Sequence, residues 1–254
     1  MIPDDDRGLL LGDGLFETIL AVDGVLVAFG AHVGRMRRGC AVLGLEPPAE
    51  PAALAAAEAA LDQAGMKSGR AAVRLTLTAG SGRGLDRPAD ARSRLIASAG
   101  PAAAPPEPVR LSTVTVRRNA ASPASRLKSL SYLDNVLARR EARALGADEA
   151  LMLNTADEAA CAAAANLFWI VGGALFTPAL DCGVLDGTVR AEVLSEAAAM
   201  GVEVREVHAD RRALDVAGAM FLTNSLMGIV RVAALDGRAL GGDALIEALS
   251  RSRR

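Results

Sequence analysis

Four segments of the chain carry residues whose type and order could act on a small molecule. They are DRGLLLGDGLFET at 6–18, AHVGRM at 31–36, SRLKSLSYLDNVLARREA at 125–142, and the pair VLDGTVR at 184–190 with FLTNSLMGIV at 221–230. Lys128 offers an amine in a predicted loop just before a helix, and lysine amines are nucleophiles towards carbonyl groups. Arg35 lies on a predicted helix, and a guanidinium fork suits phosphate oxygens better than an ammonium does. Taken singly, each residue has an ordinary interpretation, Lys128 as a solvated loop lysine and Arg35 as an exposed helix arginine.

Several other kinds of site are excluded by the same inspection. The segment AGSGRGL at 79–85 follows a predicted strand, but Leu85 stands where a dinucleotide fingerprint needs its third glycine. No phosphate-binding P-loop and no G-x-S-x-G nucleophile motif occurs. The two histidines, His32 and His208, have no cysteine at metal-ligand spacing, so no metal site is predicted. His32, on one face of a predicted helix, is interpreted as a structural residue with a hydrogen-bond partner.

The composition limits the class of protein. Of 254 residues, 51% are hydrophobic and 3% aromatic, which is ample for a core. The net charge is 28 − 30 = −2, which gives no electrostatic reason to bind nucleic acid or an anionic membrane. Three widely spaced cysteines argue against a disulfide scaffold, the N-terminus lacks signal-peptide character, and the longest apolar stretch is too short for a bilayer. We therefore expect a soluble cytoplasmic protein.

The elements that must position these residues fall into two parts. The proline-rich stretch after Ala99 predicts a linker at 100–108 between an N-terminal domain, 1–99, and a C-terminal domain, 109–254. Asp23-Gly24 predicts a hairpin turn, and a helix is expected to start just after Gly187. The remaining predictions are helices at 31–43, 51–66 and 133–145, a final helix from 243, and strands at 71–78, 94–99, 109–116, 149–154 and 165–171, with three more after 200. Strands and helices mix without a strict β-α-β rhythm, which favours an α+β or mixed α/β fold.

The order and spacing of the four segments resemble those of the fold-type IV pyridoxal-phosphate (PLP) enzymes, the aminotransferase class IV family. Within that family the sequence looks most like the aminodeoxychorismate lyases, with D-amino-acid and branched-chain aminotransferases as close relatives. The resemblance covers about residues 6–235. It implies a two-domain fold like that of D-amino-acid aminotransferase, with PLP in the interdomain cleft. It also implies a homodimer in which the partner chain completes the cleft.

The resemblance assigns the main cofactor contacts. Lys128, in the context K-S-L-x-Y-L-x-N, matches the lysine that forms the Schiff base with PLP and then moves protons. Arg35 matches the arginine of the family's H-x-x-R-[LM] segment, which grips the cofactor phosphate. Gly187, Thr188 and Val189 match a G-I-[TM]-R turn, where backbone N–H groups at a helix N-terminus receive the phosphate.

The resemblance also assigns further contacts. Ser225, in TNSL, matches a phosphate-binding hydroxyl, and Leu185 matches the residue that packs on the cofactor ring. Arg83, in the loop GSGRG, matches a position that would bind a substrate carboxylate. Thr18 and Tyr132 are expected to line the substrate pocket. The TNSL and GRG segments are closer to the lyases than to the transferases.

One position departs from the family pattern. Relatives carry a glutamate five residues before the asparagine that matches Asn166, and here that position is Cys161. The glutamate hydrogen-bonds the pyridine nitrogen of PLP and keeps it protonated. A thiol is mostly neutral at pH 7 and at best a weak donor, so the ring would be a poorer electron sink. Glu158, three residues earlier, is expected on the opposite face of its strand.

Three functions follow from these observations. The leading hypothesis is a PLP-dependent lyase that converts 4-amino-4-deoxychorismate to 4-aminobenzoate and pyruvate, a step of folate biosynthesis. The second is a class IV aminotransferase acting on D- or branched-chain amino acids. The third is a PLP-binding paralogue whose activity is altered or lost because Cys161 replaces the glutamate. The expected partners are a small amino substrate and a second copy of the chain.

Overall fold

The computed structural model describes residues 2–106 and 108–252. Its contacts divide the chain into two units, and the division does not follow the linker alone. The first unit comprises 1–104 together with 127–131, and the second comprises 105–126 with 132–254. The segment around Lys128 therefore belongs to the first unit, although it lies beyond the proline-rich stretch.

The first unit is a four-stranded antiparallel sheet with helices. Its strands pair in the order β2-β1-β3-β4. The elements are α1 (Arg7–Leu11), β1 (Gly14–Val22), β2 (Val25–Leu26), α2 (Phe29–Leu43), α3 (Glu50–Gln63), β3 (Arg70–Thr78) and β4 (Arg94–Pro101). Odd-numbered residues of β1 and β3, such as Ile19 and Leu75, are fully buried in one cluster with Met36 of α2 and Ala57 of α3. The period of two along each strand thus sets which β1 side chains meet the helices.

The second unit is built around a larger mixed sheet. Its strands are β5 (Val109–Arg118), β6 (Glu149–Asn154), β7 (Ala159–Ala162), β8 (Asn166–Val171), β9 (Ala174–Pro178), β10 (Val204–Val207), β11 (Ala219–Asn224), β12 (Gly228–Leu235) and β13 (Arg238–Ala239). Its helices are α4 (Pro123–Arg126), α5 (Leu133–Ala144), α6 (Thr188–Ala199) and α7 (Ala244–Arg251), with 3-10 turns at Leu180–Cys182 and Arg211–Leu214.

The pairing of these strands returns on itself. The path runs β10-β9-β8-β11-β12-β5-β6-β7, and β7 also pairs with β8. Six strands therefore form a closed ring within the described residues, with Leu167, Trp169 and Leu222 buried in one of its clusters. In this unit the ring of Phe168 stacks on Phe221 and that of Trp169 stacks on Phe176. None of the described helices is long and apolar enough to cross a bilayer.

Most predicted elements are confirmed. Asp23 and Gly24 both have positive φ in the β1–β2 turn, and α6 begins directly after Gly187. The predicted strands 71–78 and 94–99 are β3 and β4, and they pair with each other. The elements α1, α4, β7, β9 and β13 were not predicted, and β4 runs to Pro101, into the predicted linker. The domain boundaries given above, with a linker at 100–108, stay a prediction.

Candidate active site

The position of Lys128 is fixed by main-chain hydrogen bonds to β1. The N–H of Phe16 donates to the carbonyl of Lys128 at 2.8 Å, and the N–H of Leu130 donates to the carbonyl of Gly14 at 3.0 Å. Gly14 has to be glycine because a Cβ there would lie 2.3 Å from the carbonyl oxygen of Leu77. The lysine is therefore carried by a strand-like pairing within the first unit.

The surroundings of Lys128 increase the fraction of its amine that is neutral. Its Nζ lies 4.2 Å from the centroid of the Phe16 ring, and the Arg74 guanidinium carbon lies 3.9 Å from the same centroid. Burial and the positive charges of Arg35 and Arg74 together lower the pKa of Lys128 to about 8, although the negative charge of Glu17 opposes them. At pH 7 roughly a tenth of the molecules then carry the neutral amine, against roughly three in ten thousand at the ordinary pKa.

A buried carboxylate holds Arg35 beside this lysine. Glu17 Oε1 accepts from Arg35 Nε at 2.8 Å, and Glu17 Oε2 accepts from Arg35 Nη2 at 2.5 Å and pairs with His32 Nδ1 at 2.7 Å. Both His32 and Glu17 are 1% exposed. The interpretation of His32 as a hydrogen-bonded structural residue is confirmed. The role of Arg35 in phosphate binding stays a prediction, with two of its nitrogens bonded to Glu17.

Glu17 was missed by the sequence reasoning, although a signal was available. It lies at an odd position of β1, between Leu15 and Ile19, which both face the core. Strand alternation therefore predicts a buried carboxylate, and a buried carboxylate needs a charged or hydrogen-bonding partner. The nearby helix α2 supplies two.

The second unit presents a helix N-terminus at the predicted phosphate turn. Gly187 is the N-cap of α6 and provides no capping side chain. A Cβ on Gly187 would lie 2.0 Å from Asn166 Oδ1, so the glycine is required for space. The amide of Asn166 also donates to the carbonyl of Leu185 at 2.8 Å, which holds the turn against β8. Thr188 and Val189 form the first turn of α6, where backbone N–H groups attract anions.

Three polar side chains form a row beneath this turn. Cys161 of β7 pairs with Asn166 of β8, which pairs with Thr223 of β11, so their side chains share one face of the sheet. Thr223 is 1% exposed, and its Oγ1 is buried without a hydrogen-bond partner. Burying a hydroxyl without a hydrogen bond costs free energy, so Thr223 Oγ1 is a candidate to hydrogen-bond a bound ligand. Thr223 was not singled out from the sequence, whereas Ser225, predicted two residues later, lies in the turn after β11.

Cys161 lies in an apolar setting at the other end of the row. It is 6% exposed and packs in a cluster with Met152, Ala160 and Val184. Burial raises the pKa of its thiol, so the side chain stays neutral near pH 7. Glu158 does not approach this position, because its carboxylate binds Asn154 and His208 instead.

Arg118 and Asn135 brace the segments around the row. Arg118 Nη1 donates to Asn135 Oδ1 at 3.1 Å, and Asn135 Nδ2 donates to the carbonyl of Ala163 at 2.7 Å. Arg118 Nε donates to the carbonyl of Gly183 at 3.3 Å. Asn135 is the last residue of the K-S-L-x-Y-L-x-N motif, and this position was the sequence signal that could have identified it as a residue of the site.

The predicted substrate contacts are distributed over both units. In the first, Thr18 lies two residues after Phe16 on β1, and Arg83 is exposed on the loop after β3. Arg7 steadies that loop, because its guanidinium donates to the carbonyls of Gly84 and Leu85 at 2.9 and 3.0 Å. In the second, Tyr132 is the N-cap residue of α5. Their roles in substrate binding stay predictions.

Comparison with known proteins agrees with this arrangement. The sequence profile described as "Amino-transferase class IV" matches residues 14–235. A provisionally named branched-chain-amino-acid aminotransferase of Methanocaldococcus jannaschii is 33% identical over 244 residues, covering 92% of this chain and 83% of that protein. Aminodeoxychorismate lyase of Bacillus subtilis is 29% identical over 232 residues, covering 89% and 78%.

A solved structure shows the same fold. The crystal structure of 4-amino-4-deoxychorismate lyase from Pseudomonas aeruginosa is similar with a TM-score of 0.90 and 33% identity, covering 100% of this chain and 94% of that one. The chain belongs to the class IV aminotransferase family, and it is a PLP-dependent aminotransferase or lyase.

Proposed function

We propose that the protein is a PLP-dependent lyase that converts 4-amino-4-deoxychorismate to 4-aminobenzoate and pyruvate. The single observation that carries the proposal is Lys128, a half-buried amine fixed to β1 whose pKa lies at about 8. The preference for elimination over amino transfer comes from Cys161.

The residues present fit PLP. Lys128 supplies the amine for the cofactor aldehyde. The N-terminus of α6, without a capping side chain, and the unpartnered hydroxyl of Thr223 supply donors for its phosphate. When bound, PLP withdraws electrons from the substrate carbon next to the amino nitrogen.

The protein's own residues account for the remaining requirements of the reaction. Lys128, with its lowered pKa, takes the proton from the ring carbon that carries the amino group. The bond from the ring to the enolpyruvyl oxygen breaks, the ring becomes aromatic, and the released enol takes up a proton to give pyruvate. Phe16 covers the amine with an apolar surface, and Arg83 is the proposed partner of a substrate carboxylate.

Cys161 supports a lyase over a transferase. Its buried thiol remains neutral and donates only weakly, so it cannot hold a proton on a pyridine nitrogen as a carboxylate does. Amino transfer depends strongly on that proton. Loss of the enolpyruvyl group also gains the stability of the aromatic product and therefore tolerates a weaker electron sink.

A class IV aminotransferase is the second candidate. The provisional name of the Methanocaldococcus jannaschii relative favours it. A cofactor-binding protein with altered activity is the third, and Cys161 is again the residue that favours it. The two enzymes differ in their product, because the lyase releases pyruvate without an amino acceptor and the transferase requires a 2-oxo acid.

The chain itself provides a matched test of the cofactor lysine. It contains two lysines, Lys67 and Lys128, and Lys67 is exposed and paired with Asp62. The protein is incubated with PLP, reduced with borohydride, digested and analysed by mass spectrometry. We expect the cofactor on Lys128, its loss in Lys128→Ala, and its retention in Lys67→Ala. Absence of modification at Lys128 in the wild type would refute the enzymatic proposal.

A second assay separates the reactions. Purified protein loaded with PLP is given aminodeoxychorismate without a 2-oxo acid, and pyruvate and 4-aminobenzoate are measured. Equal amounts of both support the lyase. Amino transfer from D- or branched-chain amino acids, with no pyruvate release, would replace the first candidate by the second.

We also propose that the protein is a cytoplasmic homodimer. Leu9, Leu10 and Leu11 of α1 are 68%, 49% and 43% exposed, which is an apolar surface that a second copy could cover. All three cysteines are free, as is usual in a reducing compartment. Sedimentation analysis of wild type and Leu9→Glu tests the dimer, and a monomeric wild type would contradict it.

A further inference from the structure

We propose that Glu158, Cys182 and His208 form a zinc site in the second unit, separate from the residues assigned to PLP. Their donor atoms all lie within 4.8 Å of one another. The proposal does not depend on the reaction that the enzyme catalyses.

The distances are close to the edges of a zinc tetrahedron, with the sulfur and the imidazole nitrogen each nearest a different oxygen of Glu158. Cys182 Sγ lies 3.5 Å from His208 Nδ1 and 3.7 Å from Glu158 Oε2, and His208 Nδ1 lies 3.1 Å from Glu158 Oε1. Usual zinc–ligand bond lengths give sulfur–nitrogen and sulfur–oxygen edges of about 3.6 Å and nitrogen–oxygen edges of about 3.4 Å. One ion can therefore contact all three side chains with small side-chain adjustments.

The surrounding groups orient the donors as metal sites require. His208 directs Nδ1 at Cys182 and Glu158, while its Nε2 pairs with Asp181 Oδ1 at 2.9 Å. Histidine ligands commonly hold a carboxylate on the second ring nitrogen in this way. The Glu158 carboxylate in turn accepts from Asn154 Nδ2 at 2.7 Å.

The backbone holds the three segments together. The N–H of Ala159, next to Glu158, donates to the carbonyl of Ala209 at 2.7 Å. The N–H of Ala179 donates to the carbonyl of Val207 at 3.0 Å. These main-chain hydrogen bonds join the segment that carries His208 to the segments that carry Glu158 and Cys182.

The donor set selects the metal. A cysteine sulfur, an imidazole and a carboxylate are ligands that zinc accepts, whereas calcium and magnesium prefer oxygen alone. Cys182 is wholly buried, but the side chains of His208 and Glu158 are 50% and 26% exposed, which leaves solvent access for a fourth ligand. Because Cys182 lies five residues before Gly187, a bound ion would steady the segment that leads to the N-terminus of α6.

Cobalt(II) is the probe for this site, since it takes zinc positions and is visible. The untagged holoenzyme is titrated with cobalt, and we expect one equivalent to give cobalt–thiolate charge-transfer absorption with d–d bands of tetrahedral intensity, both removed by zinc. Cys182→Ser should abolish the thiolate band, and His208→Gln should weaken binding at least tenfold. Cys40→Ser, at a buried thiol of the first unit, is the control and should titrate like wild type.

The outcomes are decisive even where one variant fails to fold. His208 is half-exposed, so His208→Gln serves if Cys182→Ser aggregates. Asp181→Asn, which changes only the outer partner, should lower affinity by about tenfold. Absence of cobalt binding, a spectrum without the thiolate band, or an unchanged titration in His208→Gln would overturn the proposal. The histidine would then be explained as an imidazolium paired with Glu158 and Asp181.

Discussion

Replacing Glu17 by glutamine tests the arrangement that holds Arg35 beside Lys128. The substitution preserves the size of the side chain and removes its charge. Arg35 and His32, which both bind the Glu17 carboxylate, would then face a neutral amide at a position that is 1% exposed. Arg35, itself 9% exposed, loses the carboxylate that accepts from two of its nitrogens.

The expected magnitude follows from that loss. Removing one partner of a buried ion pair costs about 3–5 kcal/mol because the other charge remains buried and uncompensated. Burial raises the pKa of Glu17, but the hydrogen bonds and charges of Arg35 and His32 lower it more, so its net pKa lies below the ordinary 4.5. A carboxylate whose pKa is lower in the folded than in the unfolded state stabilises the folded protein. This stabilisation is complete above the pKa of the unfolded state and is lost as the pH falls through the pKa of the folded state.

Urea unfolding followed by circular dichroism measures the effect. At pH 7 the free energy of unfolding of Glu17→Gln should fall by about 3–5 kcal/mol. The deficit should shrink when both proteins are compared below pH 4.5, where the wild-type carboxylate titrates. Glu58→Gln, on the exposed surface of α3, is the matched control and should change stability by less than about 0.5 kcal/mol. A loss below about 1 kcal/mol at pH 7, or a deficit that grows in acid, would refute the reasoning.

Three further predictions concern the proposed cofactor residues. Gly187→Ala places a Cβ 2.0 Å from a neighbouring amide oxygen, so it should lower the free energy of unfolding by about 1–3 kcal/mol and weaken PLP binding. Gly218→Ala is the control, because open space surrounds that position, and it should do neither. Equal melting temperatures of the two variants would contradict the contact. Cys161→Glu should raise amino transfer relative to pyruvate release, as measured in paired product assays, and an unchanged ratio would exclude the weak electron sink as the reason for lyase specificity. Arg74→Met should raise the pKa of Lys128 above about 8, seen as a shift to higher pH in the rate of amine labelling, and a shift to lower pH would show that the charge assignment is wrong.

Local sequence signals predicted the elements whose stability is local. The Asp23-Gly24 turn needs two positive φ values, and these residues adopt them at 49° and 80°. By contrast, α1 spans only five residues, too short to be stable alone, and it is held by the Asp6 cap and the contact of Asp6 with Thr78. Its sequence therefore carries no helical period to detect.

The candidate site was predictable where motifs are contiguous and was not where residues meet across the fold. Lys128 and Gly187 lie in short recognisable segments. Cys182 lies 24 residues from Glu158 and 26 from His208, and they come together only because the segments that carry them pair. Thr223 is similar, because its lack of a partner is a property of the packed sheet.

The assignment of Lys128 to the first unit has a consequence for synthesis and for dissection of the protein. Residues 127–131 supply the hydrogen bonds that complete β1 at Gly14 and Phe16, yet more than twenty residues of the other unit precede them in the chain. On the ribosome, the first unit therefore reaches its final form only after residue 131 has emerged, when translation is already past the start of the second unit. A fragment ending at the proline-rich stretch would lack Lys128 and would leave a strand edge open to self-association.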